Sequence, residues 1–309
     1  MGCMASRALI GTACVGALVA ALLVSPALCF GSAAQEPAAV GAAEATVDVE
    51  PVPRAFREDA DRVPPVPPIR AVDEAAVLSG VDAAAAPAST SVGAVVLDPQ
   101  GRTLLQTSDA ARPLPSASLV KLLVVQQLLA RPAPGGWDSS TWFRMQRAVT
   151  VSDDAAMNVL WTRYDGPALV RAAVAEFGLS GTAPPTDPSQ WGQATTTAAD
   201  VGRFLSALTA TPSSLASATL LAWMRGAAPT AADGFDQRFG LLSGPAGPGV
   251  AAKQGWMCCV DGRRQLHSAG VLDDGRVVVV LGEGSAARPW SQVEAAVDGA
   301  TAALVAGTR

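Results

Sequence analysis

The spacing of hydrophobic and polar positions changes several times along this chain, and each change predicts a different kind of element. The stretch AVDEAAVLSGVDAAAA, from Ala71, reads as a helix. In SVGAVVLDPQGRTLLQT two β-rich runs flank a turn at Pro99-Gln100-Gly101, which predicts a hairpin. From Ser116 to about Gly226 the pattern is helical again, in several segments. Strand patterning then returns in GVAAKQGWMC, RQLHSAGVL and RVVVVLGE, with Asp273-Asp274-Gly275 as the turn between the last two. An amphipathic helix from about Trp290 to Ala306 closes the chain.

Strands, then a helical block, then strands and a helix predict one mostly antiparallel sheet interrupted by an all-helical insertion. Helices from the two ends would flank that sheet, giving an α+β architecture with a cleft where the insertion meets the sheet edge. This predicted domain covers residues 72–309, and no internal repeat is visible.

Two further segments precede it. Residues 1–34 carry Arg7, an apolar run from about Ala8 to Phe30, and then small residues, the grammar of a secretory signal with cleavage after Ala33 or Ala34. The run is also long enough to remain as a membrane anchor, although Pro26 favours cleavage. A lipid-anchored form needs a cysteine behind small residues; Cys29 follows Leu28, and Cys14 comes early in the run. All three readings export the protein, to the cell envelope or beyond. Residues 35–71 are rich in Ala, Pro and Glu without periodicity, and read as a disordered tether.

Composition narrows the function. Half the residues are hydrophobic, enough for a sizeable core, while a net charge of -5 leaves no basic stripe for nucleic acid. The one basic doublet, in Gly262 to Arg264, reads as part of a turn. Beyond the leader the cysteines are Cys258 and Cys259, side by side, so no disulfide framework is expected. Adjacent cysteines pair only through a strained ring, and two small semi-buried strand residues are the expectation. There is no CxxC and His267 is the single histidine, so neither metal nor cofactor is expected. The partner expected is a small-molecule or peptidoglycan-derived substrate, met by a monomer.

The basic residues themselves point to chemistry. Of twenty-two, only Lys121 and Lys253 are lysine. Arginine is always charged, whereas a buried lysine can lose its proton and act as a base. Lys121 lies within LPSASLVKLLVV, three residues after Ser118 and one helical turn along the same face, with Ser116 placed to cap the helix. A lysine kept partly neutral by burial can take the proton from a serine hydroxyl. VSDDAAMNVLW places Ser152, Asp153 and Asp154 before a short helix carrying Asn158; alone, it reads as a cap with acidic first-turn residues. AAKQGWM puts Lys253 and Gly255 on a strand, where an edge charge is the ordinary reading.

Together the three stretches resemble the serine β-lactamase and penicillin-binding protein superfamily: Ser-x-x-Lys opening a helix, Ser-Asp-x opening another, and Lys-x-Gly on a strand. The resemblance runs from about Val72 to the C-terminus and is closest to class A β-lactamases, to which GRTL and ATTTAADVGRFLSAL are also similar. SDDAAMN and KQGWM also resemble exported, often lipid-anchored serine hydrolases of actinobacteria. The resemblance implies roles. Ser118 would be the acylated nucleophile, Lys121 its base and Ser152 the proton relay to the leaving group. Lys253 would tune Ser152 and attract a substrate carboxylate. The N–H groups of Ser118 and Trp256 would form the oxyanion hole. Asp154, Gln254 and Gly255 would complete substrate binding, with Asp153 and Asn158 structural.

Three departures accompany it. Class A enzymes carry a glutamate that activates the deacylating water, but this chain has none between Glu176 and Glu283. The corresponding stretch LSGTAPPTDPSQWGQ offers only Asp187, so a long-lived acyl-enzyme is expected in place of β-lactam hydrolysis. The usual asparagine of the second motif is Asp154, which can only accept hydrogen bonds when ionised and would raise the pKa of Lys121 if aimed at it. The hydroxyl residue of the third motif is Gln254. His267 sits in LHSAG without a G-x-S-x-G elbow and reads as structural; Trp191, Trp256 and Met257 read as packing that can line the pocket. The sequence therefore supports an exported serine hydrolase acting through Ser118 on cell-wall-related or other carboxylate-bearing amides or esters, with poor β-lactam turnover. Its alternatives are a catalytically decayed binding protein of the envelope and, third, a class A-type β-lactamase.

Overall fold

The computed structural model describes residues 72–132, 134–211 and 213–309, so the expected signal segment and tether lie outside the described residues. The first helix, α1 (Glu74–Ala85), starts where the Asp73 carboxylate accepts the Ala76 N–H. The hairpin follows as β1 (Ser91–Leu97) and β2 (Thr103–Gln106). A two-residue strand β3 (Leu114–Pro115) and a 3₁₀ turn (Ala117–Leu119) lead into α2 (Val120–Ala130). The helical block continues with α3 (Ser139–Thr150), α4 (Asp154–Arg163) and α5 (Gly166–Phe177). After β4 (Thr195–Thr196) come α6 (Ala198–Ala210) and α7 (Leu215–Arg225). The chain ends with β5 (Ala251–Val260), β6 (Arg263–Val271), β7 (Val277–Ser285) and α8 (Trp290–Gly307).

The five long strands form one sheet in the order β2-β1-β7-β6-β5, every neighbouring pair antiparallel. This is the α+β architecture that the alternation of patterns predicts. Both faces of the sheet are covered, which is why Val277 to Leu281 is an unbroken apolar run. Val277, Val279 and Leu281 face the core shared with the helical block, while Val278 and Val280 face the core under α1 and α8. Each of those fully buried side chains is worth roughly 1.5–3 kcal/mol of transfer free energy.

The helical block is organised around α2, whose residues from Val120 to Leu128 are all buried. A helix apolar on every side belongs in the middle of a bundle, and Lys121 is carried into that interior with it. The structure corrects one local expectation here. Ser116 does not cap α2: its N–H donates to Ala194 O at 2.7 Å, extending the β3–β4 ladder, and the 3₁₀ turn intervenes before the helix. Strands as short as β3 and β4 carry no readable period, so this small sheet had no signal in the sequence. Among the described residues no single helix is long and apolar enough to cross a membrane.

Candidate active site

Three elements bring the three motifs to one place. The N-terminal turn of α2 supplies Lys121, the junction of α3 and α4 supplies Ser152 to Asp154, and β5 supplies Lys253. The ammonium of Lys121, at 0% exposure, donates to Ser152 O at 2.6 Å, to Ser152 Oγ at 3.2 Å and to Asp154 Oδ1 at 2.6 Å. From the other side Lys253, 1% exposed, donates to Ser152 Oγ at 2.8 Å and to Gln254 O at 2.7 Å. The Ser152 hydroxyl is thus held between two buried amines, the one point at which all three motifs meet.

Burial decides the protonation of both lysines. It pulls Lys121 below the usual lysine range, with the Asp154 carboxylate pushing back. Lys253 is pulled well below that range, first by burial and then by the neighbouring charge of Lys121. A neutral Lys121 keeps two N–H donors and offers its lone pair to the Ser152 hydroxyl. Ser152 Oγ thus links the two amines through a single hydroxyl, at 3.2 and 2.8 Å.

Ser118 lies in the 3₁₀ turn, 4% exposed, on the cleft. No hydrogen bond of its hydroxyl to another described residue is present, and Lys121 turns to Ser152 and Asp154 instead. Two non-glycine residues at the site adopt left-handed backbone: Ala117, directly before Ser118, at φ 46°, and Ser152 at φ 53°. Such conformations cost about 1–3 kcal/mol each and persist where the surroundings over-determine them, as around functional groups. Gly255 has a steric reason to be glycine: a Cβ there would meet Ser116 O at 3.3 Å and Ser118 N at 3.4 Å. Its absence lets β5 approach the backbone of Ser116 and Ser118 closely.

The open cleft, of about 260 Å³, is lined by Ser118, Asp154, Asn158, Trp191, Trp256 and Met257 among others. Asp154 is 60% exposed, in contrast to the lysine it pairs with. Asn158 Oδ1 accepts the Trp191 Nε1–H at 2.7 Å, and the Trp191 ring centroid lies 4.9 Å from Lys121 Nζ. Asp153 works one layer back, capping α4 through Ala156 N and accepting from Arg147 Nε at 2.6 Å. Gln254 is not brought to the cleft. Alternation along β5 sends its buried amide to the opposite face of Lys253, where it donates to Gln237 O at 3.2 Å and to Phe239 O. Asp187 accepts from the N–H and hydroxyl of Ser189 and is not among the residues lining the cleft.

His267, fully buried, bonds Pro115 O through Nε2 at 2.8 Å and so ties β6 to the segment ahead of Ser118. Burial lowers its pKa to about 4. The two cysteines differ from expectation: Cys258 and Cys259 are exposed and joined to each other as a disulfide, Cys258 opposite Arg264 in the β5–β6 ladder and Cys259 passed over by the register shift that follows. Among the described residues no group of three or more His, Cys, Asp or Glu is placed to hold a metal.

One participant had no motif to announce it. A narrow loop closed by the Thr230–Asp236 bridge packs against the cleft, with Phe235 stacked on Trp256 at 4.7 Å between centroids. Asp233 at its tip accepts Trp256 Nε1–H at 3.0 Å. Only the turn-forming Asp233-Gly234 pair could have marked it.

No family model matches the chain. It is 30% identical over 210 residues to proteins of Mycobacterium bovis and Mycobacterium tuberculosis named "Putative lipoprotein LppW", the match covering 66% of each chain. Among solved structures, a β-lactamase from Sphaerobacter thermophilus aligns with a TM-score of 0.59 at 19% identity, over 77% of this chain and 98% of that one. A β-lactamase from Chitinophaga pinensis gives 0.59 at 16%, over 75% and 99%. A class A β-lactamase from Bacteroides cellulosilyticus gives 0.58 at 14%, over 76% and 97%.

Proposed function

We propose, from the premise that by fold this chain belongs to the serine β-lactamase and penicillin-binding protein superfamily on its class A side, that it is an exported serine hydrolase acting through an acyl-enzyme on Ser118. The observation that carries the reading is the Ser152 hydroxyl, bonded by both Lys121 and Lys253, the only two lysines in the chain. In this reading Ser118 Oγ attacks a carbonyl carbon while its proton passes to the amine of Lys121. The oxyanion forms against the N–H groups of Ser118 and Trp256. Ser152 then returns a proton to the leaving group, drawing on the Lys121–Ser152–Lys253 path. The substrates proposed are cell-wall-related amides or esters. With no glutamate between Glu176 and Glu283, and Asp187 occupied by Ser189, the acyl-enzyme outlives its formation and β-lactams turn over poorly. The lipoprotein name of the mycobacterial relatives supports a place at the cell envelope.

A binding protein with a decayed site is the second reading, favoured by one geometry: Lys121 bonds Asp154 and Ser152 and leaves Ser118 without it. Intact-protein mass after incubation with penicillin, and separately with a fluorophosphonate, decides between them, with Ser118→Ala alongside. An adduct lasting hours and absent from the variant is expected. Fast penicillin turnover with no adduct would restore a β-lactamase. No adduct with either probe would leave the binding protein.

A further inference from the structure

The cleft is lined by one carboxylate, Asp154, and two indoles, Trp191 and Trp256, and none of its lining residues is a lysine or arginine; Asp233 stands at its margin, on the edge of Trp256. Both lysines sit behind that surface, buried, with their donors committed to Ser152, Asp154 and the Gln254 carbonyl. Asp154 gives Oδ1 to Lys121, while Oδ2 accepts no hydrogen bond from another described residue. Asp233 accepts from two uncharged donors, Phe235 N and Trp256 Nε1, both at 3.0 Å, so no cation within hydrogen-bond reach cancels its charge. The arginines of the surroundings are spent elsewhere: Arg147 on Asp153, and Arg238 in a bidentate pair with Asp236. Trp191 and Trp256 are half-buried on the cleft. In its wall Ser118, a 4% exposed residue, has a hydroxyl with no hydrogen-bond partner among the described residues, and in the acyl-enzyme reading this is where a ligand's reacting group comes.

Carboxylates beside partly exposed indoles are the chemistry that holds an organic cation: the charge meets the carboxylates and its alkyl or planar body meets the electron-rich ring faces. A carboxylate ligand would find neither lysine on the cleft surface and would meet the exposed edge of Asp154 there.

We infer that the acyl donor of this site carries a primary ammonium or guanidinium group, selected by Asp154 and Asp233 with Trp191 and Trp256. This rests on the acyl-enzyme reading, and reverses the carboxylate preference that the sequence resemblance implies.

Benzyl thioesters of N-acetyl-lysine, N-acetyl-norleucine and N-acetyl-glutamate test it. In each acylation the Oγ–C bond forms, the C–S bond breaks, and the serine proton leaves with the thiol. Thiol release and intact mass give the rates. The lysine thioester should acylate at least about tenfold faster than the norleucine one, equivalent to roughly 1.4 kcal/mol of discrimination, with glutamate slowest. Raised salt should shrink that ratio, since the attraction is screened. Asp233→Asn should shrink it too. Equal lysine and norleucine rates, or a fastest glutamate, would overturn the inference. If no thioester labels Ser118, the acyl-enzyme reading is what fails. Calorimetric titration of Ser118→Ala with the matching N-methylamides then decides the cation preference: tighter lysine binding supports it, and equal or reversed affinities sink it.

Discussion

The inner wall of the cleft and its rim were built by different rules. The wall consists of Ser118, Lys121, Ser152 and Lys253, all at most 4% exposed, on elements whose packing leaves each side chain one place to go. The rim consists of Asp154, Asn158 and Asp233, which are exposed, and Trp191 and Trp256, which are half-buried, contributed by a helix, two loops and a strand. The wall keeps the residue types that its superfamily resemblance leads one to expect. The rim departs from them in charge and in shape. The difference teaches that tightly packed polar residues can keep an expected set while the exposed residues around the same cleft differ from it.

The sharpest way to break that contrast is to damage the wall. Lys121→Met keeps the length and apolar stem but removes the base, and should slow fluorophosphonate labelling of Ser118 by about 10²–10⁴-fold. Lys121→Arg keeps the charge but cannot become neutral, so it should be as slow as the methionine variant. If arginine retains near-native labelling, the lysine serves as a fixed charge and the wall is no proton path. Circular dichroism of both variants separates this from unfolding.

Behind the wall, His267 gives the fold an acid weakness. Its folded pKa of about 4 lies below the 6.5 of an exposed imidazole, because burial disfavours the charged ring. Above pH 6.5 both states are neutral and nothing is lost. As pH falls through 6.5 the unfolded chain gains a proton that the folded one refuses until about pH 4. Over that window the His267 contribution should fall by about 3 kcal/mol, read by denaturant titration at each pH. His267→Gln should flatten that part of the profile. It should also lower stability at pH 7, through the contact with Pro115 O.

Much of the wall was legible in the sequence, and the reason is physical. Ser118 and Lys121 lie one helical turn apart, so a local rule places them together. Ser152 and Lys253 required the long-range fold, which followed from the order of strand and helix patterns and from the resemblance. The strands of the sheet were legible for the same reason: alternation and apolar runs survive because both faces are buried. The rim was not. Gln254 stands next to Lys253 in sequence, but a strand sends neighbours to opposite faces, so its amide leaves the site. Asp233 arrives on a loop whose packing on Trp256 no period encodes. Asp154 was readable as a possible brake on Lys121, and the 2.6 Å contact shows the two groups together.

A rim substitution then sharpens the contrast from the other side. Asp154→Asn restores an amide and removes the carboxylate that holds the proton on Lys121. The pKa of the lysine should fall further, moving the acid limb of the labelling rate to lower pH. Each unit of that movement makes labelling about tenfold faster on the limb itself. The plateau at high pH, where Lys121 is already neutral, should change less. A limb that stays in place would mean that some other group titrates there.

The smallest effect belongs to Trp191, and it tests whether the rim also governs water. Its ring covers Lys121 at 4.9 Å and is pinned by Asn158, on the loop that carries no deacylating glutamate. A water reaching the ester carbonyl from that side must pass an indole that offers it no acceptor. Trp191→Ala should open the path without supplying a base. The acyl-enzyme lifetime should therefore shorten by roughly threefold to tenfold, about 1 kcal/mol of barrier, and not to rapid turnover. The decay of the Ser118 adduct by intact mass gives this number directly. An unchanged lifetime would assign the slow step to the missing base alone. A collapse to turnover within seconds would show that Lys121 itself can activate water once uncovered, making the indole the one feature separating this site from a hydrolase that releases its product quickly.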